Sequence, residues 1–493
     1  MNATPVETRN KPPVVWTIAG TDPGSGAGIQ ADLKTFHGLG VYGCSVITAV
    51  LAQNTQGVRR VDYTDPEMVR AQLAVLEEDF PPAAVKTGML GNAAAMREVA
   101  SVLRRLAVPV VCDPVLRSTS GTDLVAPEAL AVFRREILPQ VDVLTPNRPE
   151  AEALTGRPVV SPEDVVAAAD ALLAQGCRSV LIKGGHAGGG LVQDYWTNGL
   201  IAGWLTTGRI DTTHTHGTGC TLASALAAAR ARGEDELDAV VVARAYVHQA
   251  LRLAPGLGGG NGPVHHGGWP ADPVDLPWLT TAAADGAASW SFPDCRPLPL
   301  GLYPVVDRLD WVQRLLACGV RTLQLRIKRA LDRQVEEEIR QAVVLARAAG
   351  ARCFINDHWQ PALACGAYGV HLGQDDLDES ALRAVEAAGC RLGLSVHSHA
   401  ELARAWAYRP SYIAIGTVYS SPSKTMTYAP LGPARFAALR ALTPCPAVAI
   451  GGLTPQRAPE LVAAGADGIA VISDIVQAAD PAAAVRAWAP VFG

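Results

Sequence analysis

The sequence predicts two α/β domains in series, an open and mostly parallel sheet followed by a (β/α)₈ barrel. The chain has 493 residues, more than one ordinary hydrophobic core holds. Short β-branched runs alternate with Ala- and Leu-rich helical stretches, as in parallel sheets covered by helices. This alternation breaks once, in a Pro- and Gly-rich stretch with three tryptophans. We therefore predict a first domain over 1–266, a linker over 267–299 and a second domain over 300–493.

The first domain is predicted from four apolar strands with helical stretches between them. They read VVWTIAG (14–20), VPVVCDPV (108–115), VDVLTPN (141–147) and SVLIKGG (179–185). The linker that follows the domain is expected to be partly pinned to a surface by its tryptophans, Trp269, Trp278 and Trp290.

The second domain is predicted from eight apolar strands, each followed by a helix or a loop. They cover 302–307, 322–328, 352–357, 369–373, 391–397, 412–419, 447–452 and 468–473. Barrels of this kind carry their chemistry at the carboxyl ends of the strands. The polar residues fall at those ends: Asp307, Arg326, Lys328, Asn356, Asp357, Ser395 and Ser473.

Composition narrows the class of protein. The net charge of −5 argues against a general nucleic-acid binder, which usually carries a basic excess. The ten cysteines form no C-x-x-C pair and no zinc-type cluster, so we interpret them as reduced thiols. No apolar signal core and no membrane-length run is present. We expect a cytoplasmic location and no nucleic-acid or membrane partner.

A glycine-rich turn, H-G-T-G-C, precedes a helical run and places Gly217, Gly219 and Cys220 at the start of the helix. Unpaired N–H groups at a helix start, with glycines that let a ligand approach, favour a phosphate. An ordinary loop entering a core helix is the alternative. After two other strands, Asn147 and Glu150 could hold a hydrated Mg²⁺, and Lys183 could meet nucleotide phosphates.

The predicted barrel offers a second phosphate site. Asp357 and Asp376 follow neighbouring strands, where carboxylates suit Mg²⁺. Arg326 and Lys328 alternate on the strand QLRIK and are expected to face the same way, as fixed positive charge. Rim charges and a helix cap at Asp376 are the alternatives. The loops after the last strands usually hold phosphate in this barrel.

The first half resembles hydroxymethylpyrimidine/phosphomethylpyrimidine kinase, of the ribokinase-like superfamily, over about residues 14–266. The matching motifs are AGTDPGSGAGIQADLKTF, VYGCSVITAVLAQNTQGV, KTGML, DPV, TPNRPE, IKGGH, HTHGTGCT and GPVHH. The resemblance implies ATP- and Mg²⁺-dependent phosphorylation of a hydroxymethylpyrimidine and then of its monophosphate. It implies that Gln53 hydrogen-bonds the aminopyrimidine, with Asp32 and Gly20 nearby and Met89 packed on the ring. Lys183 and the Gly217–Cys220 loop should face the phosphates.

Two details of this resemblance leave alternatives open. Related sugar kinases have an aspartate base where this chain has Cys220, so the thiol is either a weak base or a group shaped to avoid repelling a phosphorylated substrate. The second interpretation is the one we favour. The family commonly shows D-P-S-G-G-A-G, whereas residues 22–28 read D-P-G-S-G-A-G. The chemistry should survive if the backbone amides still converge.

The second half resembles thiamine phosphate synthase over about residues 300–490, through LYPVVD, GVRTLQLRIK, FINDHW, AYGVHLGQDDL, RPSYIAIG, AIGGL and AVIS. That family joins a pyrimidine diphosphate to a thiazole phosphate and releases pyrophosphate. The resemblance implies a diphosphate site at Gln324, Arg326, Lys328 and Asn356, and Mg²⁺ at Asp357 and Asp376. Ser395 should lie near the reacting methylene and Lys424 near the pyrophosphate. The thiazole phosphate should contact Ser421, Ser423, Gly452, Ile472 and Ser473. The family often has T-x-T-K where this chain has S-P-S-K, which keeps the hydroxyls.

The two resemblances fit one pathway, because the product of the first activity is the substrate of the second. They predict a bifunctional enzyme of thiamine biosynthesis with Mg²⁺ as cofactor, ATP as phosphoryl donor and small-molecule substrates. Both families tend to associate, so we expect a dimer. Two rivals remain: a pyridoxal-type kinase in the first half, and a sensor that binds these ligands without turnover.

Overall fold

We analysed a computed structural model that describes residues 11–116, 126–185, 188–286, 290–297, 299–420 and 429–492. The chain forms two compact units. The first extends to Pro270 and includes Thr280–Asp285; the second comprises Ala271–Leu279 and the chain from Gly286 onward. Within the described ranges, every helix is too short or too polar to cross a bilayer.

The first unit is built on an open sheet. Its strands are β1 (Val14–Gly20), β2 (Tyr42–Asn54), β3 (Gly57–Tyr63), β4 (Ala84–Thr87), β5 (Val110–Cys112), β6 (Val143–Leu144), β7 (Ser179–Ile182), β8 (Leu191–Thr197) and β9 (Ala202–Gly208). They lie in the order β9-β8-β7-β6-β5-β4-β1-β2-β3. Pairing is parallel from β2 to β7 through the centre, and antiparallel at β2–β3, β7–β8 and β8–β9. The predicted open, mostly parallel sheet is confirmed.

Helices link the strands of the first unit. They are α1 (Gly28–Gly38), α2 (Pro66–Asp79), α3 (Ala93–Leu103), α4 (Pro127–Val132), α5 (Arg148–Thr155), α6 (Pro162–Leu173), α7 (Thr218–Ala231) and α8 (Glu236–Arg252). Several starts are set by local sequence. Asp65 caps α2, Asn92 caps α3, and Ser161 forms a capping box on α6. α7 and α8 pack on each other and are buried over most of their length, which suits their alanine-rich sequences.

The stretch predicted as a linker is divided between the two units and carries a 3₁₀ turn, Pro273–Asp275, and a short strand, β10 (Trp278–Thr280). Its three tryptophans each lie against an arginine of the same unit, as the pinning hypothesis requires. The guanidinium-to-ring distances are 5.2 Å for Arg232–Trp269, 5.2 Å for Arg409–Trp278 and 3.7 Å for Arg383–Trp290. Cation–π contacts of this length stabilise a surface-lying segment.

The second unit is a closed barrel of eight parallel strands. They are β11 (Gly301–Val306), β12 (Thr322–Leu325), β13 (Arg352–Asn356), β14 (Gly369–Leu372), β15 (Arg391–Val396), β16 (Tyr412–Gly416), β17 (Ala447–Ile450) and β18 (Gly468–Val471). Each neighbouring pair is parallel, including β11 with β18. All eight predicted strands are confirmed, although each ends one to three residues earlier than the apolar run suggests.

The barrel helices are α9 (Leu309–Ala317), α10 (Arg333–Ala348), α11 (Trp359–Ala364), α12 (Glu379–Ala387), α13 (His399–Trp406), α14 (Gly432–Leu442), α15 (Ala458–Ala463), α16 (Ser473–Val476) and α17 (Pro481–Ala487). Short 3₁₀ turns lie at Gln374–Asp376 and Ala489–Val491. Inside the barrel, Tyr303, Phe354 and Tyr412 form a buried aromatic cluster with ring centroids 5.0–5.9 Å apart.

Candidate active sites

The first unit contains a cavity of about 940 Å³ above the carboxyl ends of its central strands and beside the start of α7. This is where open parallel sheets place their ligands. The predicted residues that line it are Gly20, Gln53, Met89, Asn147, Glu150, Lys183, Gly217, Gly219 and Cys220.

Gly217 is required by a close approach of two backbone segments. It has a φ of +83° at the N-cap of α7, and a Cβ there would lie 1.8 Å from the carbonyl oxygen of Gly26. The two glycine-rich turns of the sequence therefore contact each other. At Gly219 a Cβ would lie 3.1 Å from Lys183 Nζ and 3.2 Å from an Asp113 oxygen, so this glycine keeps space beside charged groups.

Asp22 organises the first of these turns. Its carboxylate accepts hydrogen bonds from the amides of Gly24, Gly26 and Ala27 at 2.8–3.0 Å, and His216 Nε2 lies 2.8 Å away. Burial raises the pKa of Asp22, but hydrogen bonds from His216, Gln53 and the Ala27 amide outweigh it and lower the pKa to about 2. The exchange of glycine and serine in this chain leaves Ser25 with a φ of +56°, and the amides of Gly24, Gly26 and Ala27 converge on the carboxylate of Asp22.

Lys183 lies between two carboxylates at the cavity wall. Its Nζ is 2.7 Å from Asp113 Oδ1 and 3.8 Å from Glu150 Oε2. Burial lowers the pKa of Lys183, but the two carboxylates outweigh it and hold the pKa above its usual value. Residue-level reasoning did not single out Asp113, although the quoted DPV motif contains it.

Asn147 and Glu150 form a capping box at the start of α5. Asn147 Oδ1 accepts from the Glu150 amide at 2.8 Å, and Glu150 Oε2 accepts from the Asn147 amide at 2.7 Å. Helix capping therefore engages the single side-chain oxygen of Asn147 and one of the two carboxylate oxygens of Glu150. Burial raises the pKa of Glu150 to about 7, with Lys183 opposing and Asp113 adding to the shift. A cation in the cavity fits this site, because it would stabilise the charged form of a carboxyl that burial disfavours.

Cys220 lines the cavity as a protonated thiol. Burial raises its pKa to about 11, although the charge of Lys86 opposes the shift. At neutral pH a thiol with this pKa is almost entirely protonated, so its burial favours the positional interpretation over the base.

Asp32 is placed differently from the expectation that it contacts the pyrimidine. It is fully buried and does not line the cavity. Its carboxylate accepts from Thr17 Oγ1 at 2.6 Å, Lys86 Nζ at 2.7 Å and Ser224 Oγ at 2.6 Å. A carboxylate surrounded by three donors is satisfied within the protein, so Asp32 supports Lys86, and Lys86 lines the cavity in its place.

In the barrel, Asn356 and Asp357 lie where β13 ends, and Asp376 follows β14 in the 3₁₀ turn. Burial raises the pKa of Asp357, and the negative charge of Asp376 raises it further, so the two carboxylates are electrostatic neighbours. Asp376 Oδ2 accepts from the Gly373 amide at 3.1 Å within this turn, whereas the N-cap of α12 is Asp378, so Asp376 is not the helix N-cap of the alternative interpretation. Two mutually repelling carboxylates at the rim fit a divalent cation.

Arg326 and Lys328 do not lie on a strand, contrary to the expectation. β12 ends at Leu325 because its pairing stops at Val306 of β11 and at Ile355 of β13. Arg326 is half-buried and lowers the pKa of the interior residue His371, whereas Lys328 is exposed. The two cations therefore occupy different environments.

The remaining predicted ligands of the barrel follow its late strands. Gly452, with a φ of +62°, comes after β17, and a Cβ there would lie 2.5 Å from the Ser420 carbonyl oxygen. Ile472 and Ser473 come directly after β18. Residues Ser421, Ser423 and Lys424 lie outside the described part of the chain. Ser395 near the end of β15 is hydrogen-bonded to His371, a strand residue that the sequence reasoning missed.

Comparisons with known proteins agree with this division. The model of the phosphomethylpyrimidine kinase family matches residues 22–265, and that of the thiamine monophosphate synthase family matches residues 302–475. A thiamine biosynthetic bifunctional enzyme of Arabidopsis thaliana is 36% identical over 480 residues, covering 95% of this chain and 91% of the relative. A hydroxymethylpyrimidine/phosphomethylpyrimidine kinase of Streptomyces coelicolor is 48% identical, covering 52% of this chain and 95% of the relative.

Among solved structures, the pyridoxal kinase of Staphylococcus aureus in complex with ADP aligns with a TM-score of 0.51 and 31% identity. The alignment covers 55% of this chain and 98% of that kinase. The ribokinase-like fold of the first unit is therefore shared with a nucleotide-binding kinase.

The expected cytoplasmic location is contradicted by two relatives that match over nearly the whole chain. Bifunctional enzymes of Arabidopsis thaliana and Oryza sativa are both named chloroplastic. All ten cysteines lie in the described ranges and none is in a disulfide. Free thiols suit any reducing aqueous compartment, so they did not specify the cytoplasm.

Three findings lead to one conclusion. The two units carry separate sites, the two family models match in the same order, and relatives align across both units. The chain belongs to the family of thiamine biosynthetic bifunctional enzymes, in which a hydroxymethylpyrimidine/phosphomethylpyrimidine kinase is fused to thiamine phosphate synthase.

Proposed function

We propose that the first unit transfers phosphate from ATP to 4-amino-5-hydroxymethyl-2-methylpyrimidine and then to its monophosphate. The observation that carries the proposal is that one cavity is lined both by groups suited to an aminopyrimidine and by groups suited to phosphates. Gln53 and Met89 are the groups for the aminopyrimidine. Lys183, Gly217 and the start of α7 are the groups for the phosphates.

In this reaction the protein contributes charge and alignment. Lys183, held by Asp113, neutralises the transferring phosphoryl group, and the amides of the glycine turn donate hydrogen bonds to its oxygens. Cys220 keeps a neutral group beside the substrate, so the monophosphate enters for the second round without repulsion from a carboxylate. Asn147 and Glu150 line the same cavity and are the residues we assign to a metal–nucleotide complex, in which Mg²⁺ would neutralise phosphate charge.

We propose that the barrel couples the resulting diphosphate to 4-methyl-5-(2-phosphoethyl)thiazole, giving thiamine phosphate and pyrophosphate. Gln324, Arg326, Lys328 and Asn356 would hold the pyrimidine diphosphate. Asp357 and Asp376 would hold Mg²⁺, which supplies charge neutralisation for the leaving pyrophosphate. Gly452, Ile472 and Ser473, with Ser421, Ser423 and Lys424, would bind the thiazole phosphate and the pyrophosphate.

The coupling needs no strong base. The C–O bond to pyrophosphate breaks, the electron-rich aminopyrimidine stabilises the positive methylene carbon, and the thiazole nitrogen donates its electron pair to that carbon. The barrel's tasks are to stabilise the oxyanion that leaves and to hold the nitrogen in line. Arg326 is suited to the first task, because it is half-buried and its charge is felt inside the barrel.

The decisive experiment supplies the full chain with the hydroxymethylpyrimidine, ATP, Mg²⁺ and the thiazole phosphate, and measures thiamine phosphate by chromatography. Asp376→Ala should abolish coupling and leave the kinase rate unchanged, since the two residue sets belong to different units. Loss of both activities would contradict independent sites. With saturating substrates, absence of pyrophosphate release would favour the sensor alternative.

A pyridoxal kinase activity remains a second candidate for the first unit, because solved pyridoxal kinases share its fold. A kinase assay with both alcohols decides it: a higher kcat/KM for the hydroxymethylpyrimidine supports the proposal. We also propose that the two domains span residues 1–266 and 300–493 and that the protein forms a dimer. Light scattering of the purified chain tests the dimer.

A further inference from the structure

A continuous chain of hydrogen bonds crosses the interior of the barrel and ends at Ser395. Gln324 Nε2 lies 3.3 Å from the Tyr303 hydroxyl, which lies 2.7 Å from the Tyr412 hydroxyl. The Tyr412 hydroxyl lies 2.7 Å from His371 Nδ1, and His371 Nε2 lies 2.8 Å from Ser395 Oγ. Both ends of this chain are residues proposed for the coupling site, whereas its three middle members have no role so far.

The middle members are sealed from solvent. Tyr303, Tyr412 and His371 are 1%, 0% and 6% exposed, and they project from three different strands, β11, β16 and β14. Buried polar groups are costly unless each is hydrogen-bonded. Three such groups in the barrel interior are more than packing needs, because phenylalanine and leucine would fill the same space without this cost.

The hydrogens of the chain run in one direction. His371 is 6% exposed and its two ring nitrogens face the hydroxyls of Tyr412 and Ser395, so the apolar interior favours the neutral ring with one N–H. The amide N–H of Gln324 donates to Tyr303, so the Tyr303 hydroxyl donates to Tyr412 and the Tyr412 hydroxyl donates to His371 Nδ1. The single N–H of the ring is then on Nε2 and donates to Ser395 Oγ. The opposite direction requires the Gln324 amide to be turned over, so that its Oε1 accepts from Tyr303 and His371 Nε2 accepts from Ser395; in the structure Nε2 of Gln324 faces Tyr303.

We propose that Tyr303, Tyr412 and His371 are positioning residues for Ser395. They make Ser395 Oγ an acceptor from His371. The hydroxyl hydrogen of Ser395 then points outward and donates to an oxygen of the departing diphosphate. The proposal rests on the placement of Ser395 at the coupling site. In this arrangement His371 takes no proton from Ser395, and the serine stays a neutral hydroxyl. A donor fixed before the reaction stabilises a developing oxyanion without reorganisation.

The first test is Tyr412→Phe, which removes the hydroxyl that fixes the ring hydrogen on Nε2. We expect kcat for coupling to fall about tenfold, the equivalent of one hydrogen bond lost in the transition state, with KM for both substrates unchanged within about twofold. The kinase rate of the same chain should not change. Tyr368→Phe is the matched control, because Tyr368 also packs on Phe354 but lies outside the chain of hydrogen bonds. Its coupling rate should equal that of the parent.

The second test separates positioning from simple structural support. In a Ser395→Ala background, Tyr412→Phe should change kcat by less than about twofold, since the hydrogen-bond chain then lacks the serine hydroxyl through which Tyr412 acts. His371→Gln, whose amide can still donate to Ser395, should retain far more activity than His371→Leu. Independent, multiplicative losses from Tyr412→Phe and Ser395→Ala, or equal losses from the two His371 variants, would overturn the inference.

The two proposals fail in different ways. If Ser395→Ala couples at the parent rate, the placement of Ser395 at the coupling site is wrong and this inference falls with it. If Ser395→Ala is slow while Tyr412→Phe matches Tyr368→Phe, the site assignment stands and only the positioning role is refuted.

Discussion

Replacing Gly217 with alanine should stop the kinase while leaving the coupling reaction untouched. The built Cβ lies 1.8 Å from the Gly26 carbonyl oxygen, and ordinary contact begins near 3.4 Å, so the two glycine turns must separate by about 1.6 Å. A misplacement of about 1 Å at a reacting centre costs on the order of a hundredfold in rate. We therefore expect kcat/KM for the pyrimidine to fall at least about a hundredfold.

A matched control exists at the other end of the same helix. Gly233 follows α7 with a φ of +88°, close to the +83° of Gly217, but a Cβ there meets nothing within 4 Å. Both alanine variants carry the same left-handed strain of about 1–2 kcal/mol, measurable by thermal unfolding. Only Gly217→Ala also separates the turns. Equal kinase rates for the two variants would refute the argument that the close approach of the turns builds the phosphate site.

Three further predictions concern buried titratable groups in the first unit. Cys220→Ser should keep the kinase rate within about tenfold. The pH profile of the parent kinase rate should show no thiol titration below pH 9, because the pKa of Cys220 is about 11. An inactive serine variant would argue for thiolate catalysis. Asp22→Asn should destabilise the chain by about 2 kcal/mol at pH 7 in urea unfolding, because the pKa of Asp22 is lowered from 3.8 to about 2. The stabilisation by Asp22 is fully present above pH 4 and is lost as the pH falls through 2. The difference in unfolding free energy between parent and variant should therefore shrink on acidification. A difference that does not depend on pH would contradict this prediction. Lys86→Met should lower the free energy of unfolding by about 3–5 kcal/mol, because it leaves a buried carboxylate unpaired. The double variant Lys86→Met, Asp32→Asn should lose less stability than the sum of the two single variants, because each single change leaves a buried group unpaired. Additive losses of stability would mean that the pair is not coupled.

The architecture could be predicted because its signals are local. Each apolar run of the second half became one strand of the barrel, since period and length distinguish a buried strand from a helix over a few residues. The ends of the strands could not be predicted in the same way. The run QLRIK continues to Lys328, whereas β12 stops at Leu325, where its neighbours stop pairing.

The candidate site was predicted in part. The motifs located Gln53, Lys183 and the glycine turn, and all of them line the same cavity. They did not reveal that Asp32 lies behind the cavity wall, or that His371 connects two tyrosines to Ser395. Nothing in the local pattern of GVHLG distinguishes a histidine that fills space from one that orients a hydroxyl.

The sequence by itself determined the class of fold, the order of the two units and the family, because alternation of strands and helices and short glycine motifs are properties of neighbouring residues. Only the tertiary structure decided which charges meet. Asp113 and Lys183 are 70 residues apart and form a 2.7 Å ion pair, and Asp32 and Lys86 are 54 residues apart at the same distance. A short-range pattern carries no information about such pairs, since they exist only after distant strands have been brought side by side in one sheet.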